Sequence, residues 1–93
     1  MATTTDLDLT EVADFHRSMG ATEVYVFGSA VRGTLKDSSD LDIAVQGLPD
    51  AVFFSAASKA WDIADRPVDL VSLEDDSAKI RYLLRSGELV RVE

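Results

Sequence analysis

Two aspartates at the start of an apolar run are the residues whose types and spacing best indicate chemistry. Asp40 and Asp42 stand two positions apart in the segment Ser-Asp-Leu-Asp-Ile-Ala-Val. Successive side chains on a strand point to opposite faces, so both carboxylates project to one side. Because Asp is disfavoured in strands and like charges repel, the pair predicts either a bound cation or a solvated turn and strand edge. Mg²⁺ is the cation that prefers a few carboxylates together with substrate phosphates.

A third aspartate, Asp69, lies in the apolar segment Pro-Val-Asp-Leu-Val, where an acid needs a partner or a metal ion. If this segment pairs with the strand that carries Asp42, the three carboxylates can converge. Three such acids can hold two ions, one that orients a triphosphate and one that activates an attacking hydroxyl. That chemistry requires no histidine or cysteine nucleophile.

A glycine-serine turn, Gly28 and Ser29, ends an apolar run upstream of the acids. Glycine lets the backbone approach a phosphate closely, and the backbone N–H groups and the hydroxyl are donors. Such a pair is usually an ordinary turn, so its significance depends on the acids that follow. Arg32 could contact a phosphate or form a structural ion pair. Lys36 is expected to be a solvated loop residue, and His16 a surface or boundary histidine.

The elements that must position these residues alternate between helix and strand. Helical spacing of apolar residues and runs of β-branched residues indicate an α/β or α+β fold, with helices packed on a sheet. We expect, in order, a helix from Asp8 to Gly20, a strand at Glu23–Phe27, a turn at Ala30–Arg32, a strand at Leu41–Val45, a helix at Asp50–Ala64, a strand at Val68–Val71, a helix capped by Ser72 and Asp75 and stopped by Gly87, and a closing strand at Glu88–Val92.

The two later helices each have an expected buried stripe and residues outside it. The residues outside the stripe are candidates for boundary packing or for contact with a partner. They are Val52 or Phe54 in the first of these helices and Tyr82 in the second. The expected buried residues are Phe53, Ala57, Ala60, Trp61 and Ala64, followed by Ile80, Leu83 and Leu84.

Composition limits the classes of function. The chain has 93 residues, is 46% hydrophobic and 28% charged, and is expected to fold as one domain over residues 1–93 with residues 1–7 frayed. Its 17 acidic against 9 basic residues argue against direct nucleic acid binding. Cysteine is absent, which leaves no disulfide or thiolate zinc site. No apolar run reaches the roughly 18 residues of a membrane span, and no secretory signal is visible, so we expect a cytoplasmic protein without a membrane partner.

Three motifs together resemble the minimal nucleotidyltransferase family of the DNA polymerase β superfamily. They are Gly-Ser-Ala-Val-Arg-Gly at 28–33, Ser-Asp-Leu-Asp at 39–42 and the lone acid in the strand at 67–71. The resemblance implies a polymerase β-like nucleotidyltransferase fold, with a small mixed sheet and helices packed on it. It also implies that Asp40, Asp42 and Asp69 are catalytic and bind Mg²⁺, and that Gly28, Ser29, Arg32 and Ser39 bind the nucleotide.

The resemblance further implies transfer of AMP from ATP to an acceptor hydroxyl. Stand-alone members are commonly antitoxins paired with a HEPN-domain toxin, and the expected acceptor is a toxin tyrosine. An acidic chain suits a partner that handles RNA and carries basic surface. Two alternatives stay open: an antitoxin that neutralises its toxin by binding without catalysis, and a nucleotide-binding subunit of a two-chain nucleotidyltransferase.

Overall fold

The structure, a computed structural model, describes residues 9–28, 31 and 40–92. Within these ranges, three helices pack on a four-stranded sheet whose strand order is β3-β2-β1-β4. The elements are α1 (Leu9–Ser18), β1 (Glu23–Phe27), β2 (Leu41–Gln46), α2 (Asp50–Ala64), β3 (Val68–Ser72), α3 (Ala78–Ser86) and β4 (Val90–Arg91).

The sheet is mixed. Strand β1 runs antiparallel to both β2 and β4, whereas β2 and β3 are parallel and are joined through α2. Parallel neighbours need a long crossover, and the 15-residue helix α2 provides it. The expected fold class, a small mixed sheet with helices packed on it, is therefore confirmed. None of the helices in the described part of the chain is long and apolar enough to cross a bilayer.

The two faces of the sheet differ in how they are covered. On one face Leu41, Ile43 and Val45 of β2, all with 0% exposure, pack against α1 and α2. On the other face, a smaller cluster contains Phe27 and Ala44 together with Ile80 and Leu83 from α3, so this face is covered by one nine-residue helix. Side chains alternate along a strand, which places Asp42 on the same face as Ala44.

Helix α1 buries a histidine that the sequence places at the surface. His16 is fully buried, at 0% exposure, one turn after the buried Val12. Its Nδ1 donates to the carbonyl oxygen of Val12 at 2.8 Å, and its Nε2 has no hydrogen-bond partner among the described residues. Burial lowers the pKa of His16, although the bond to Val12 opposes this effect. The expectation of a surface or boundary histidine was wrong because His16 lies on the stripe that faces α2 and the sheet.

Helix α2 has the expected bounds but a different buried stripe. Ala56, Ala60 and Ala64 recur every four residues and are buried, whereas Phe53 and Ala57 are partly buried against the same core. Trp61 was expected to be buried but is 51% exposed. It lies about 100° around the helix from Ala60, since a helix turns once in about 3.6 residues. Its indole Nε1 nevertheless donates to the carbonyl oxygen of Val68 at 3.1 Å.

The start of α3 also differs from the expectation. Ser77 is the N-cap, and its hydroxyl accepts from the backbone N–H of Ile80 at 3.3 Å. The expected cap, Ser72 with Asp75, was wrong because β3 continues to Ser72 and a turn follows it, in which the N–H of Asp75 donates to the carbonyl of Ser72. Leu84, expected to be buried, is 56% exposed.

The end of α3 and the last strand lie close to the positions that the sequence predicts. Gly87 terminates α3 with a φ of 76°, a left-handed conformation that glycine adopts without steric cost, as predicted. The closing strand β4 is shorter than expected, because only Val90 and Arg91 pair with β1.

Candidate active site

Three residues form one row across three strands on the face covered by α3. Phe27 of β1 pairs with Asp42 of β2, and Asp42 pairs in parallel register with Asp69 of β3. Directly paired residues of neighbouring strands project to the same face, so the two carboxylates are neighbours. The condition under which the acids could converge, that the strand of Asp69 lies beside the strand of Asp42, is therefore met.

Gly28 lies against the carboxylate of Asp42. An ideal Cβ built on Gly28 would stand 2.2 Å from Oδ2 of Asp42, a distance that no side chain tolerates without displacing that carboxylate. Gly28 also has a φ of 70°, in the left-handed region that favours glycine. The turn after β1 therefore lets the backbone and an acid approach each other closely.

Asp40 stands at the mouth of this arrangement, immediately before β2, and is exposed. The β2–β3 pairing extends to its neighbour, because the N–H of Leu41 donates to the carbonyl oxygen of Pro67 at 2.9 Å. In the conformation of the described residues, no three acidic or histidine side chains gather closely enough to hold a metal ion. The structure thus brings Asp42 and Asp69 together and leaves Asp40 at the edge of the pair.

Lys79 is a residue of this site that sequence reasoning missed. Its Nζ lies 3.4 Å from Oδ2 of Asp69 and 5.8 Å from the centre of the Phe27 ring. Asp42 stands between Phe27 and Asp69 in the row, so the two residues that the ammonium group approaches lie on either side of Asp42. The sequence signal was the N-cap: with Ser77 as the cap, Lys79 falls in the first turn of α3.

Three of the predicted nucleotide-binding residues, Ser29, Arg32 and Ser39, lie outside the described residues, as does Lys36. Their assignment remains a prediction from the sequence. Gly28 and Asp40, which flank residues 29–39, are described. Gly28 follows β1 and Asp40 precedes β2, so both lie at the end of these strands where Asp42 pairs with Phe27.

A cleft of about 740 Å³ runs along residues 70–72 of β3, directly after Asp69, and of the residues of the candidate site Lys79 lines it. Strand β3 is at the edge of the sheet, and the cleft is bounded by the beginning of α2, by β3 and by α3. Its apolar wall includes Phe53 and Phe54, whose rings pack edge to face with their centroids 5.6 Å apart. Charged residues around it are Asp50, Glu74, Asp75 and Lys79. Lys79 therefore links the cleft to Asp69.

Known proteins share both the sequence pattern and the fold. The profile of the family described as "Polymerase beta, Nucleotidyltransferase" matches residues 6–91. A toxin-antitoxin structure with AMP-PNP is similar, with a TM-score of 0.76 and 26% identity over 91% of this chain and 72% of that chain. A mutant of the MntA-HpeT toxin-antitoxin has a TM-score of 0.74 and 25% identity over 94% of this chain and 72% of that chain.

A minimal nucleotidyltransferase structure is also similar, with a TM-score of 0.71 and 25% identity over 89% of this chain and 87% of that chain. No curated protein matches the sequence at a significant level. The family profile covers most of the chain, including β1, β2 and β3, which carry the row from Phe27 to Asp69. The chain therefore belongs to the polymerase β nucleotidyltransferase family, and its fold is that of a minimal member.

Proposed function

We propose that this chain transfers AMP from ATP to a tyrosine hydroxyl of a partner HEPN-domain toxin and so acts as an antitoxin. The observation that carries the proposal is the pairing of Asp42 with Asp69, with Gly28 against Asp42, in a member of the nucleotidyltransferase family. Two similar structures support the substrate and the partner, since one contains AMP-PNP and both are toxin-antitoxin proteins.

The neighbouring carboxylates of Asp42 and Asp69 fit Mg²⁺, the ion that the family implies. Carboxylate oxygens are the donors that Mg²⁺ prefers, and the Nζ of Lys79 already places a positive charge 3.4 Å from Asp69. Asp40, Asp42 and Asp69 would hold the ion. When bound, it would neutralise the triphosphate and make the attacking hydroxyl more acidic.

The chain's own residues have separate roles in this proposal. Gly28 leaves room for the carboxylate of Asp42 beside the turn, and Ser29, Arg32 and Ser39 are proposed to hold the phosphates from the adjoining segment. Asp69 is proposed to accept the proton of an arriving hydroxyl, a role supported by its half-exposed position on the edge strand. The acceptor oxygen bonds to the α-phosphorus, the bond to the β-phosphate oxygen breaks, and pyrophosphate leaves.

The cleft beside β3 supports a protein acceptor. The aromatic wall formed by Phe53 and Phe54 suits an apolar or aromatic side chain, and the acids around it suit basic flanking residues. The net charge of −8 favours the same kind of partner. A tyrosine delivered along this cleft would approach Asp69 from the open edge of the sheet.

The direct test combines the purified chain, Mg²⁺, the product of the adjacent gene and ATP labelled at either the α- or the γ-phosphate. Transfer of only the α-label to a tyrosine of the partner would support the proposal, and Asp42→Asn should abolish it. If the chain neutralises the toxin without transferring label, it acts by binding alone. If it binds ATP but label appears only when a third chain is added, it is a nucleotide-binding subunit.

A further inference from the structure

We propose that Lys79 is a counter-cation of the acid site. It holds Asp69 when no divalent cation is bound, competes with that cation for the carboxylate, and contacts the triphosphate once the cation is in place. This inference rests on the proposed nucleotide site and assigns to it a residue outside the three motifs.

Geometry places the ammonium group of Lys79 near both residues that flank Asp42 in the row. Its Nζ lies 3.4 Å from Oδ2 of Asp69 and 5.8 Å from the centre of the Phe27 ring. These two contacts stand on either side of Asp42, because Phe27, Asp42 and Asp69 are paired across β1, β2 and β3. The ammonium group therefore lies over the row that carries both acids.

Stability does not explain a lysine at this position. The side chains of Lys79 and Asp69 are 55% and 48% exposed, and ion pairs between exposed groups typically contribute only about 0–1 kcal/mol. Lys79 also occupies the first turn of α3, where the helix dipole disfavours a positive charge. A residue placed against its local preference, beside an acid of a candidate site, indicates a functional role.

A divalent cation bound to Asp69 would repel the Lys79 ammonium group, which lies 3.4 Å from Oδ2 of the same carboxylate. Cation binding would release Lys79, whose flexible stem begins in the first turn of α3, beside Asp69. Lysine is a compact point charge that binds phosphate well, and the N-terminus of a helix also attracts anions. The released ammonium would thus stand next to the position of the bound triphosphate.

The test measures two affinities of the isolated chain, so it requires neither the partner nor AMP transfer. The first is for Mn²⁺ alone, and the second is for AMP-PNP at saturating Mn²⁺. In Lys79→Met, Mn²⁺ should bind about threefold to tenfold more tightly and AMP-PNP about tenfold more weakly, shifts typical of one charge interaction near a protein surface. Lys79→Arg, which keeps the charge, should change each affinity less.

Lys59→Met is the matched control, because Lys59 is exposed on α2, which packs on the opposite face of the sheet. Opposite shifts in Lys79→Met, absent from Lys59→Met, would support the proposal. If both affinities fall together in Lys79→Met, Lys79 has a structural role rather than the proposed one. If neither affinity changes, Lys79 has no role at this site. Asp69→Asn tests the site separately: unchanged Mn²⁺ binding in that variant would overturn the proposed acid site itself. Thermal melts confirm that each variant folds.

Discussion

Oδ2 of Asp42 lies only 2.2 Å from the position that a β-carbon on residue 28 would take, so Gly28 and this carboxylate fit together only because glycine has no side chain. Gly28→Ala must therefore displace this acid and also place alanine at a φ of 70°. Backbone strain of this kind costs about 1–2 kcal/mol. We expect nucleotide and cation binding to fall by much more than the loss of stability explains, as measured by calorimetric titration and urea unfolding.

Gly87→Ala is the control for backbone strain. Gly87 has a similar φ of 76°, but a Cβ there would meet nothing within 4 Å. This variant should lose a similar amount of stability and keep its affinity for ligands. Equal binding by the two alanine variants would show that the contact between Gly28 and Asp42 does not matter for the site.

Substitution of the acids should separate activity from stability. Asp40→Asn, Asp42→Asn and Asp69→Asn should each reduce transfer by roughly a hundredfold or more, because loss of a metal ligand removes several kcal/mol of transition-state stabilisation. Thermal stability should stay the same or rise as repulsion between carboxylates is relieved. Asp62→Asn, on the exposed face of α2, is the control. Full activity in any of the three would remove that residue from the site.

Nucleotide should stabilise the fold much more in the presence of the cation than in its absence. A ligand that binds the folded state alone raises the free energy of unfolding by about 2.7 kcal/mol at a hundredfold excess over Kd. ATP with Mg²⁺ should therefore raise the Tm clearly, whereas ATP in chelator should do much less, because the triphosphate repels Asp42 and Asp69. Differential scanning fluorimetry measures both, and equal shifts would contradict a carboxylate metal site.

Partner binding should depend on aromatic residues outside the core. Phe54 is 83% exposed and Tyr82 is 55% exposed, so truncating either should cost the fold little. Aromatic contacts dominate interface energetics, and Phe54→Ala or Tyr82→Ala at a true contact should weaken the complex by about 2 kcal/mol or more. Leu84→Ala, at an exposed position of the same helix as Tyr82, is the control. If both aromatic variants bind the partner as tightly as the wild type does, the partner engages another surface.

His16 should make stability depend on pH near neutrality. Burial lowers its pKa in the folded state below the unfolded value of 6.5, so below that pH the unfolded chain binds more protons. The free energy of unfolding should then fall as pH decreases from 6.5, by up to about 1.4 kcal/mol per pH unit. His16 is the only histidine in the sequence, and His16→Leu should abolish this slope between pH 6.5 and 5.5. Urea unfolding of both proteins across this pH range measures the slope. An unchanged slope in His16→Leu would show that other groups cause it.

Segments with one dominant pattern could be predicted from the sequence. The alternating β-branched and aromatic residues of Glu23–Phe27 gave the bounds of β1, and the apolar run between Pro49 and Arg66 gave those of α2. The strand that carries Asp69 also followed from local pattern, because β-branched and apolar residues surround that acid, whereas its pairing with the strand of Asp42 stayed a condition. Parallel pairing of that strand with β2 then brought Asp69 beside Asp42.

Features that depend on tertiary packing could not be predicted. The burial of His16 depends on α2 packing across α1, and the exposure of Trp61 and Leu84 depends on which side of each helix meets the sheet. The sequence pattern indicates Ser72 as the cap of α3, whereas β3 runs as far as Ser72 and Ser77 is the N-cap. Lys79 went unnoticed for that reason, since its approach to Asp69 depends on where α3 begins.

The position of β3 at the edge of the sheet determines how large an acceptor molecule can reach the acids. A site enclosed in a pocket admits only what passes its entrance, and this limits acceptors to small molecules. Asp69 stands on the outermost strand and is about half-exposed, and the cleft begins at the next residue of that strand, Leu70. Among the residues that the structure describes, Asp69 is therefore accessible from the edge of the sheet to an acceptor as large as a folded protein.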